Sequence, residues 1–330
     1  MTTVTQAVEL LFARPGAPPF TTQRGDGWVV HVDQSPASAE AFAYSVARGL
    51  SDHPRWLHCR YLYDETGSEL FTKITEQPEY YLTQAENQIL EEQADEIRGA
   101  VGPLPLMELG AGTAVKTQQL LRAWLETDGG AEYLPLDIDP SVLIHAAQRL
   151  TTELPGLSVT GLATSYERGL DLLGKHQPLC LIFLGSSIGN FNLEQTDEFL
   201  ARLRACLSPD DTFLLGVDLI KDVALLEAAY NDDARVSEAF TRNLFHRMKT
   251  ESFGSRPARW CSPKSAASIN CRRSRLTWRG SVSSSRERSP TVSNVSACFS
   301  PVASLPPVDH HLGHRLRLNS AQLAARRSGS

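Results

Sequence analysis

Hydrophobic residues between positions 104 and 230 alternate between short continuous runs and stretches with helical spacing. Continuous apolar runs are typical of strands buried on both faces, and apolar residues three and four apart are typical of helices packed on a sheet. The predicted strands are 104–109, 133–136, 157–162, 179–184 and 212–219, and the predicted helices are 114–126, 141–153, 166–173, 193–207 and 222–230. Five successive β–α units predict an α/β fold with a doubly wound, mostly parallel, Rossmann-like sheet.

The chain before and after these units is less regular. Residues 1–40 contain four prolines and predict an irregular arm with one strand at 27–32. Helices are predicted at 37–49, 68–75 and 84–100, and a weaker helical pattern covers 235–248.

Two glycines mark the end of the first strand of the β–α series. Gly110 and Gly112 flank one small residue in the sequence LMELGAGT at 106–113, which predicts a tight turn that a ligand can approach closely. A strand, a glycine turn and a helix in this order favour a nucleotide-like cofactor. A dinucleotide fingerprint needs a third small residue where this chain has Val115, so a dinucleotide is disfavoured.

Polar residues follow two further strands of the series. Asp137 ends the second strand, about 25 residues after the glycines, and suits ribose hydroxyl groups. Its alternative role, capping the next helix, is better filled by Asp139. Asn190 lies in the loop after the fourth strand, which faces the same crevice, and Asn192 is placed to cap the helix that follows. Asn190 is therefore available for a ligand.

A high local density of tyrosine precedes the β–α series. Residues 60–83 contain Tyr61, Tyr63, Tyr80 and Tyr81. Buried tyrosines commonly pack their rings in a core with the hydroxyls at its edge. The alternative is a wall of hydroxyl groups around a polar ligand, and the pattern alone leaves both interpretations open.

Composition narrows the class of protein. Hydrophobic residues make up 42% of the chain, which is ordinary for a globular protein, and no apolar run approaches the ~20 residues of a membrane helix. The N-terminal residues lack the basic and apolar regions of a secretory signal, so we expect a cytoplasmic protein without membrane contact. Six scattered cysteines without metal-ligand spacing are expected to be free thiols, and no metal site is predicted.

The charge is divided unevenly along the chain. Residues 252–330 contain 13 basic and 2 acidic residues, a net charge of +11, whereas residues 1–251 carry −17. This segment also contains 18 Ser and shows neither helical nor strand spacing, so its composition predicts disorder. A basic segment of this kind can bind nucleic acid, and His310, His311 and His314 invite comparison with a metal site. A chance cluster is the favoured interpretation of the histidines.

Several motifs together resemble the histidine-specific Nα-methyltransferases of ergothioneine biosynthesis over residues 55–250. The motifs are YDETGSELF at 63–71, PEYY at 78–81, ELGAGTAVK at 108–116, FLGSSIGN at 183–190 and GVDLIKD at 216–222 with Tyr230. The resemblance implies a methyltransferase sheet with a substrate-binding cap. It also implies transfer of three methyl groups from S-adenosylmethionine to the α-amino group of L-histidine, which gives hercynine.

The resemblance assigns roles to individual positions. The residues expected to hold the cofactor are Gly110, Gly112, Lys116, Asp137 and Tyr166. Those expected to hold the substrate amino group are Tyr63 and Asn190, which are the catalytic candidates, together with the backbone of Gly185. Tyr80 and Tyr230, again with Asn190, are expected to hold the substrate carboxylate, and Phe71 its apolar surface. The tyrosines are thereby interpreted as a ligand wall.

Two positions depart from the family pattern. The family has an acid before the aromatic residue of the third strand's loop, where this chain has Ser165. The family also has a Glu-x-Ser-x-Lys motif that grips the imidazole ring, followed by the last strands of the sheet, and neither is found after Glu251. We therefore hypothesise that residues 252–330 are translated out of frame, which makes the +11 charge accidental and nucleic-acid binding unexpected.

The resulting domain hypothesis has four parts. Residues 1–83 form an N-terminal arm and part of the substrate-binding region, 84–220 the cofactor-binding core, 221–251 the start of a substrate-binding insertion, and 252–330 a disordered tail. A monomer is expected. The alternatives to histidine methylation are a non-catalytic, degraded product of such a gene and a methyltransferase for another small amine.

Overall fold

The computed structural model describes residues 19–34, 39–53, 55–173, 178–249 and 295–301, together with Val8. Within these residues the strands form one eight-stranded sheet. They are β1 (Phe20–Gly25), β2 (Trp28–Asp33), β3 (Leu106–Leu109), β4 (Ala131–Asp137), β5 (Leu157–Ala163), β6 (Cys180–Phe183), β7 (Thr212–Asp218) and β8 (Val295–Pro301).

Helices connect the strands, and some of them cover the two faces of the sheet. They are α1 (Ala39–Ser51), α2 (Glu65–Thr75), α3 (Tyr81–Val101), α4 (Gln118–Asp128), α5 (Pro140–Glu153), α6 (Tyr166–Leu173), α7 (Leu193–Cys206), α8 (Val223–Ala229) and α9 (Val236–Arg247). Short 3₁₀ helices span Cys59–Leu62 and Ser187–Asn190. Helices α3, α4 and α5 pack on one face of the sheet, and α6 and α7 pack on the other.

The strand order is β1-β2-β5-β4-β3-β6-β7-β8, with parallel pairing from β2 through β7. The chain winds outward from β3 through β4 and β5, and then returns to place β6 on the other side of β3. The order therefore reverses between β3 and β6. In open α/β sheets a ligand crevice lies outside the carboxyl ends of the strands at such a reversal. The predicted α/β class is confirmed, and its topology identifies the edge where a site belongs.

Most predicted elements are present, with one informative shift. The helix predicted to begin directly after the glycine turn, at residue 114, begins at Gln118 instead. Ala114 has φ of 53°, a left-handed conformation that cannot continue a helix. Four residues of irregular backbone therefore separate the glycine turn from α4.

The N-terminal arm contains one strand more than predicted. β1 pairs antiparallel with β2, the strand predicted at 27–32, and the turn between them uses Gly27 with φ of 75°. Five of the six residues of β1 are exposed. An edge strand with polar, exposed residues lacks the apolar alternation on which the prediction relied.

The expectation that no strand follows Glu251 was wrong. β8 pairs antiparallel with β7 along its full length, from Pro301 opposite Thr212 to Val295 opposite Asp218. The run VSACFSP alternates apolar and small polar residues, but the composition of the whole tail concealed it. Pairing with β8 satisfies backbone groups at the outer edge of β7. The rest of the C-terminal segment, 250–294 and 302–330, lies outside the described residues.

A cap of helices α2 and α9 packs beside the sheet, and Asp64 joins its parts. Its Oδ1 accepts hydrogen bonds from the Gly67 N–H at 2.8 Å, which caps α2, and from Asn243 Nδ2 of α9 at 2.6 Å. Arg247 Nε lies 3.3 Å from Oδ2. Gly67 is required because a Cβ there would lie 1.7 Å from the Leu62 carbonyl oxygen. The YDETG motif thus has a structural basis independent of any ligand.

We predict that Asp64→Ala lowers the free energy of unfolding by about 2 kcal/mol, since it removes a helix cap and leaves Asn243 and Arg247 without this carboxylate. Glu69→Ala, an exposed change on the same helix, is the matched control and should alter stability by less than about 0.5 kcal/mol. Urea unfolding monitored by circular dichroism measures both. Equal effects of the two substitutions would show that Asp64 does not join the cap.

Candidate functional site

The glycine turn after β3 directs its backbone N–H groups back toward β4. Gly110 and Ala111 N–H donate to the Leu136 carbonyl at 2.8 and 3.1 Å, and the Gly112 N–H donates to Asp137 Oδ2 at 2.8 Å. Both glycines have positive φ, 71° and 53°. Phosphate sites in such turns depend on N–H groups and a helix N-terminus that point at the ligand. Here those N–H groups are already bonded and α4 begins at Gln118, so the turn suits a ligand without phosphate.

Asp137 and Tyr166 lie against this turn. Asp137 Oδ1 also accepts the Asp139 N–H at 3.1 Å, and burial raises the pKa of the Asp137 carboxyl. A Cβ on Gly110 would lie 2.5 Å from the Tyr166 hydroxyl oxygen, so only glycine leaves room for this tyrosine. Burial, followed by the nearby Asp137 charge, raises the pKa of Tyr166 well above 10, and its hydroxyl therefore stays neutral.

A second carboxyl group, Glu108, is buried beneath the turn. It accepts hydrogen bonds from the Thr117 hydroxyl at 2.6 Å and from the Tyr133 hydroxyl. Burial raises the pKa of Glu108 to about 7, against the opposing effects of these two hydrogen bonds and of the Lys116 charge. Glu108 thus ties β3, β4 and the segment before α4 together directly under the candidate cofactor site.

The loop after β6 faces the glycine turn across the reversal in strand order. Gly185 and Ser186 both have positive φ, 71° and 53°, and turn the chain sharply into the 3₁₀ helix Ser187–Asn190. Asn190 ends that helix and is exposed. Among the described residues, no hydrogen bond of its side-chain amide is found. The capping box predicted for α7 is present, with Asn192 accepting from the Gln195 N–H at 2.8 Å. Asn190 is consequently not needed for helix capping.

The aromatic residues predicted for the substrate pack together beside this edge. Ring centroids lie 5.5 Å apart for Tyr63 and Phe71, 6.3 Å for Phe71 and Tyr80, and 5.8 Å for Tyr80 and Tyr230. The rings meet edge to face, an arrangement that aromatic pairs favour. Tyr80 is buried, whereas Tyr230 is 46% exposed. The cluster therefore runs from the interior of the cap to the surface.

Phe240 of α9 completes this aromatic cluster and was missed in the sequence. Its ring centroid lies 5.5 Å from that of Tyr63 and 5.9 Å from that of Phe71. It sits in the weakly periodic segment 235–248, where one aromatic residue is indistinguishable from ordinary core. Only the packing of α9 against α2 shows that it borders Tyr63.

Helix α3 joins the aromatic cluster to both loops. Near its start, Tyr81 donates a hydrogen bond to Asp218 Oδ2 at 2.6 Å, and the Asp218 N–H donates to Ser186 Oγ at 3.0 Å. Lys221 pairs with Asp218 and lies 3.8 Å from the centroid of the Tyr81 ring. One turn further along α3, the buried Glu86 accepts the Gly185 N–H and pairs with Lys116. No motif pointed to Glu86, because a single Glu in an amphipathic helix normally faces solvent.

The cap also reaches the glycine side of the site. Helix α2 packs against α5, whose N-terminus is capped by Asp139 through the Ser141 N–H at 2.9 Å. Ser165, where the family pattern has an acid, accepts the Arg168 N–H at 3.4 Å and so caps α6. The predicted site residues therefore meet at the carboxyl edge of the sheet, while the ligand roles assigned to them stay predictions.

Some expectations concern residues or properties beyond these contacts. Within residues 252–330 the structure describes only β8. The expectations about a Glu-x-Ser-x-Lys motif, about the histidines 310, 311 and 314 and about disorder of this segment therefore lie outside the described residues. Among the described residues Cys180 and Cys206 are free thiols, as predicted. Across the described ranges, no helix is both long enough and apolar enough to cross a membrane.

Comparison with known proteins finds a matching family model and similar sequences. A family model described as histidine-specific, SAM-dependent methyltransferase matches residues 42–259. The histidine N-alpha-methyltransferase of Mycolicibacterium smegmatis is 39% identical over 215 residues, covering 65% of this chain and 67% of that protein. The protein of the same name from Mycobacterium tuberculosis is 37% identical over 211 residues, covering 64% and 66%. The chain thus spans about two thirds of the length of these relatives.

A similarity to solved structures is also found. The magnesium protoporphyrin IX methyltransferase of Synechocystis PCC 6803 with bound SAH has a TM-score of 0.38 and 17% identity, covering 51% of this chain and 73% of that chain.

We predict that Glu108→Gln removes a pH dependence of stability. Because the folded state raises the pKa of Glu108 from 4.5 to about 7, the free energy of unfolding should fall as the pH rises through that interval. The full loss is roughly 3 kcal/mol and is reached above pH ~7. Gln stays neutral and can accept the same hydroxyl hydrogen bonds, so the variant should be more stable than the parent at about pH 8 and lose that advantage at about pH 4.5.

Urea unfolding of both proteins at the two pH values measures this difference. Glu126→Gln, an exposed change on α4, serves as the control and should leave the difference between the two pH values as in the parent. A pH-independent difference between Glu108→Gln and the parent would contradict the assignment.

Proposed function

The chain belongs to the family of histidine-specific, S-adenosylmethionine-dependent methyltransferases, and we propose that it transfers methyl groups from S-adenosylmethionine to the α-amino group of L-histidine. The proposed product is Nα,Nα,Nα-trimethylhistidine (hercynine). The observation that carries the proposal is the meeting of the glycine turn, the Gly185–Asn190 loop and the aromatic cluster at one edge of the sheet.

The residues at the glycine turn fit this cofactor. Its amino-acid part carries a carboxylate, which suits the Lys116 ammonium, and its ribose hydroxyls suit the Asp137 carboxylate. A Cβ on Gly112 would meet nothing within 4 Å, so the backbone borders open space there. Ile138, which follows Asp137, is apolar and 39% exposed and offers a surface for a flat ring. When bound, S-adenosylmethionine supplies a methyl group on a positively charged sulfonium.

The loop after β6 fits an amine through its oxygen atoms. The Gly185 N–H is already donated to Glu86, at 2.8 Å from Oε1 and 3.0 Å from Oε2. A substrate amine offers N–H donors, so Gly185 would bind it through the carbonyl oxygen. Asn190 can accept from the same amine with its side-chain oxygen and donate to the substrate carboxylate with its NH₂ group.

The aromatic cluster supplies neutral hydroxyl groups and apolar ring faces. Tyr63 would orient the amine, while Tyr80 and Tyr230 would donate to the substrate carboxylate. Phe71 and Phe240 would border the apolar surface of the substrate. Neutral groups orient the amine without placing more positive charge beside a cationic cofactor. These residues would hold the amine, after it has lost its proton to solvent, with its lone pair in line with the methyl–sulfur bond. The N–C bond would then form as the C–S bond breaks and S-adenosylhomocysteine leaves, and positioning of this kind would supply most of the rate enhancement.

Binding and turnover test this proposal directly. We expect calorimetric titration to show binding of S-adenosylhomocysteine and, in its presence, of L-histidine. Incubation with S-adenosylmethionine should give mono-, di- and trimethylated histidine by mass spectrometry. A panel of L-tryptophan, L-phenylalanine and histamine tests whether the ring and the carboxylate are both recognised. A folded sample that binds neither ligand would refute the proposal, and preferred methylation of another amine would replace the substrate.

We predict that Tyr63→Phe lowers kcat/KM for histidine roughly tenfold, the effect expected when one hydrogen bond of about 1–2 kcal/mol is lost. Its affinity for S-adenosylhomocysteine should stay within about twofold of the parent, since the glycine turn is untouched. Tyr61→Phe deletes a hydroxyl two residues away that accepts from Arg60, and it should retain parental kinetics. Similar kinetics for the two variants would show that the Tyr63 hydroxyl does not orient the substrate.

A further inference from the structure

Glu86 occupies a place between the two loops of the site that an ordinary helix surface residue does not reach. Its side chain is 5% exposed, it forms an ion pair with Lys116, and both of its carboxylate oxygens accept the Gly185 N–H, at 2.8 and 3.0 Å. Lys116 belongs to the segment after the glycine turn of β3, and Gly185 to the loop after β6. One carboxylate therefore spans the reversal in strand order.

The neighbouring strand is shaped to admit this carboxylate. A Cβ on Gly216 of β7 would lie 2.3 Å from Glu86 Oε1, so only glycine leaves the necessary space. Gly216 begins the GVDLIKD motif and has an ordinary strand conformation, so close packing explains the glycine: a Cβ there would also lie 3.2 Å from Leu184 Cα. Gly216 of β7 thus provides space for the Glu86 carboxylate, and the segments after β3 and β6 provide its bonding partners.

The charge arrangement has a direct consequence for Lys116. A lysine ammonium has three donors, and one of them is directed at Glu86, which leaves donors available for a ligand carboxylate. Holding the lysine in one position before a ligand arrives also removes much of the rotamer entropy that binding would otherwise cost.

We infer that Glu86 is a positioning residue that couples cofactor binding to substrate binding, by holding Lys116 for the cofactor and the Gly185 peptide for the substrate amine. This inference rests on the proposed function, since it takes the carboxylate-binding role of Lys116 and the amine-binding role of Gly185 from it. A ligand that fixes Lys116 also fixes Glu86, and thereby orients the Gly185 carbonyl for the second ligand. By reciprocity, histidine then tightens the cofactor site by the same factor.

The coupling is measured as the ratio of the S-adenosylhomocysteine dissociation constants without and with saturating L-histidine. We expect a ratio of at least about fivefold in the parent, the lower end of typical coupling between two sites. Glu86→Gln keeps an oxygen for the Gly185 N–H but loses the charge that holds Lys116, and its ratio should fall toward one. Glu91→Gln makes the same chemical change at an exposed position of α3 and should keep the parental ratio.

Gly216→Ala provides a second route that leaves Glu86 itself unchanged. The added methyl group displaces the carboxylate, so this variant should also lose the coupling, whereas Gly99→Ala on α3, where a Cβ meets nothing within 4 Å, should not. Hydrogen exchange on the parent needs no substitution at all. S-adenosylhomocysteine alone should slow exchange of the Gly185 amide, because the ligand fixes its acceptor.

The outcomes separate this inference from the proposed function. A parent that binds both ligands without coupling overturns the inference alone, as does a folded Glu86→Gln variant with the parental ratio or a Gly185 amide that does not respond to S-adenosylhomocysteine. A parent that binds neither ligand overturns the proposed function and the inference with it. Should Glu86→Gln fail to fold, Gly216→Ala and the exchange measurement decide.

Discussion

A buried carboxylate must have its charge balanced, and this requirement at Glu86 holds the functional edge of the molecule together. An unpaired charge in the interior is costly, so Glu86 fixes both the ammonium of Lys116 and the Gly185 N–H. These two partners come from loops that follow β3 and β6, the strands between which the order of the sheet reverses. Helix α3 therefore contacts both loops at the reversal, which is where an α/β sheet forms its ligand crevice.

Hydrogen bonds within the protein also limit the kind of cofactor that the glycine turn can accept. Asp137 takes up the Gly112 N–H, and the Leu136 carbonyl takes up the two N–H groups before it. A turn whose donors are directed inward offers little to a phosphate but leaves a smooth backbone surface for ribose and an amino acid. The left-handed Ala114 and the late start of α4 act in the same direction, because they move the helix N-terminus away from the glycines.

The aromatic cluster proposed to bind the substrate is built on a different physical basis, the packing of aromatic rings. Asp64 fixes α2 against α9, and the rings between these helices meet edge to face. Because the hydroxyl of each tyrosine needs a polar partner while its ring needs apolar contact, such a cluster naturally presents polar groups at its border with a ligand. Tyr81, anchored to Asp218, keeps this border next to the loop that carries Asn190. Structural and ligand-binding interpretations of the tyrosines are thus compatible.

Local patterns in the sequence were sufficient for the β–α series, the glycine turn, the capping box of α7 and the family resemblance. Each of these depends on residues that are close along the chain or on motifs with a fixed spacing. Sequence reasoning failed where local pattern and structure diverge. β1 is polar because it is an edge strand, and β8 lies in a tail whose composition conceals a short alternating run.

The sequence by itself thus determined the fold class, the order of the elements and the residues at the ends of the strands. Only the tertiary structure decided which residues far apart in the sequence form ion pairs, hydrogen bonds or aromatic contacts. Glu86 meets Gly185 across 99 residues of chain, and Tyr63 meets Phe240 across the cap. No periodicity records such pairs, because their proximity arises from the crossing order of the strands and from the packing of α9 on α2.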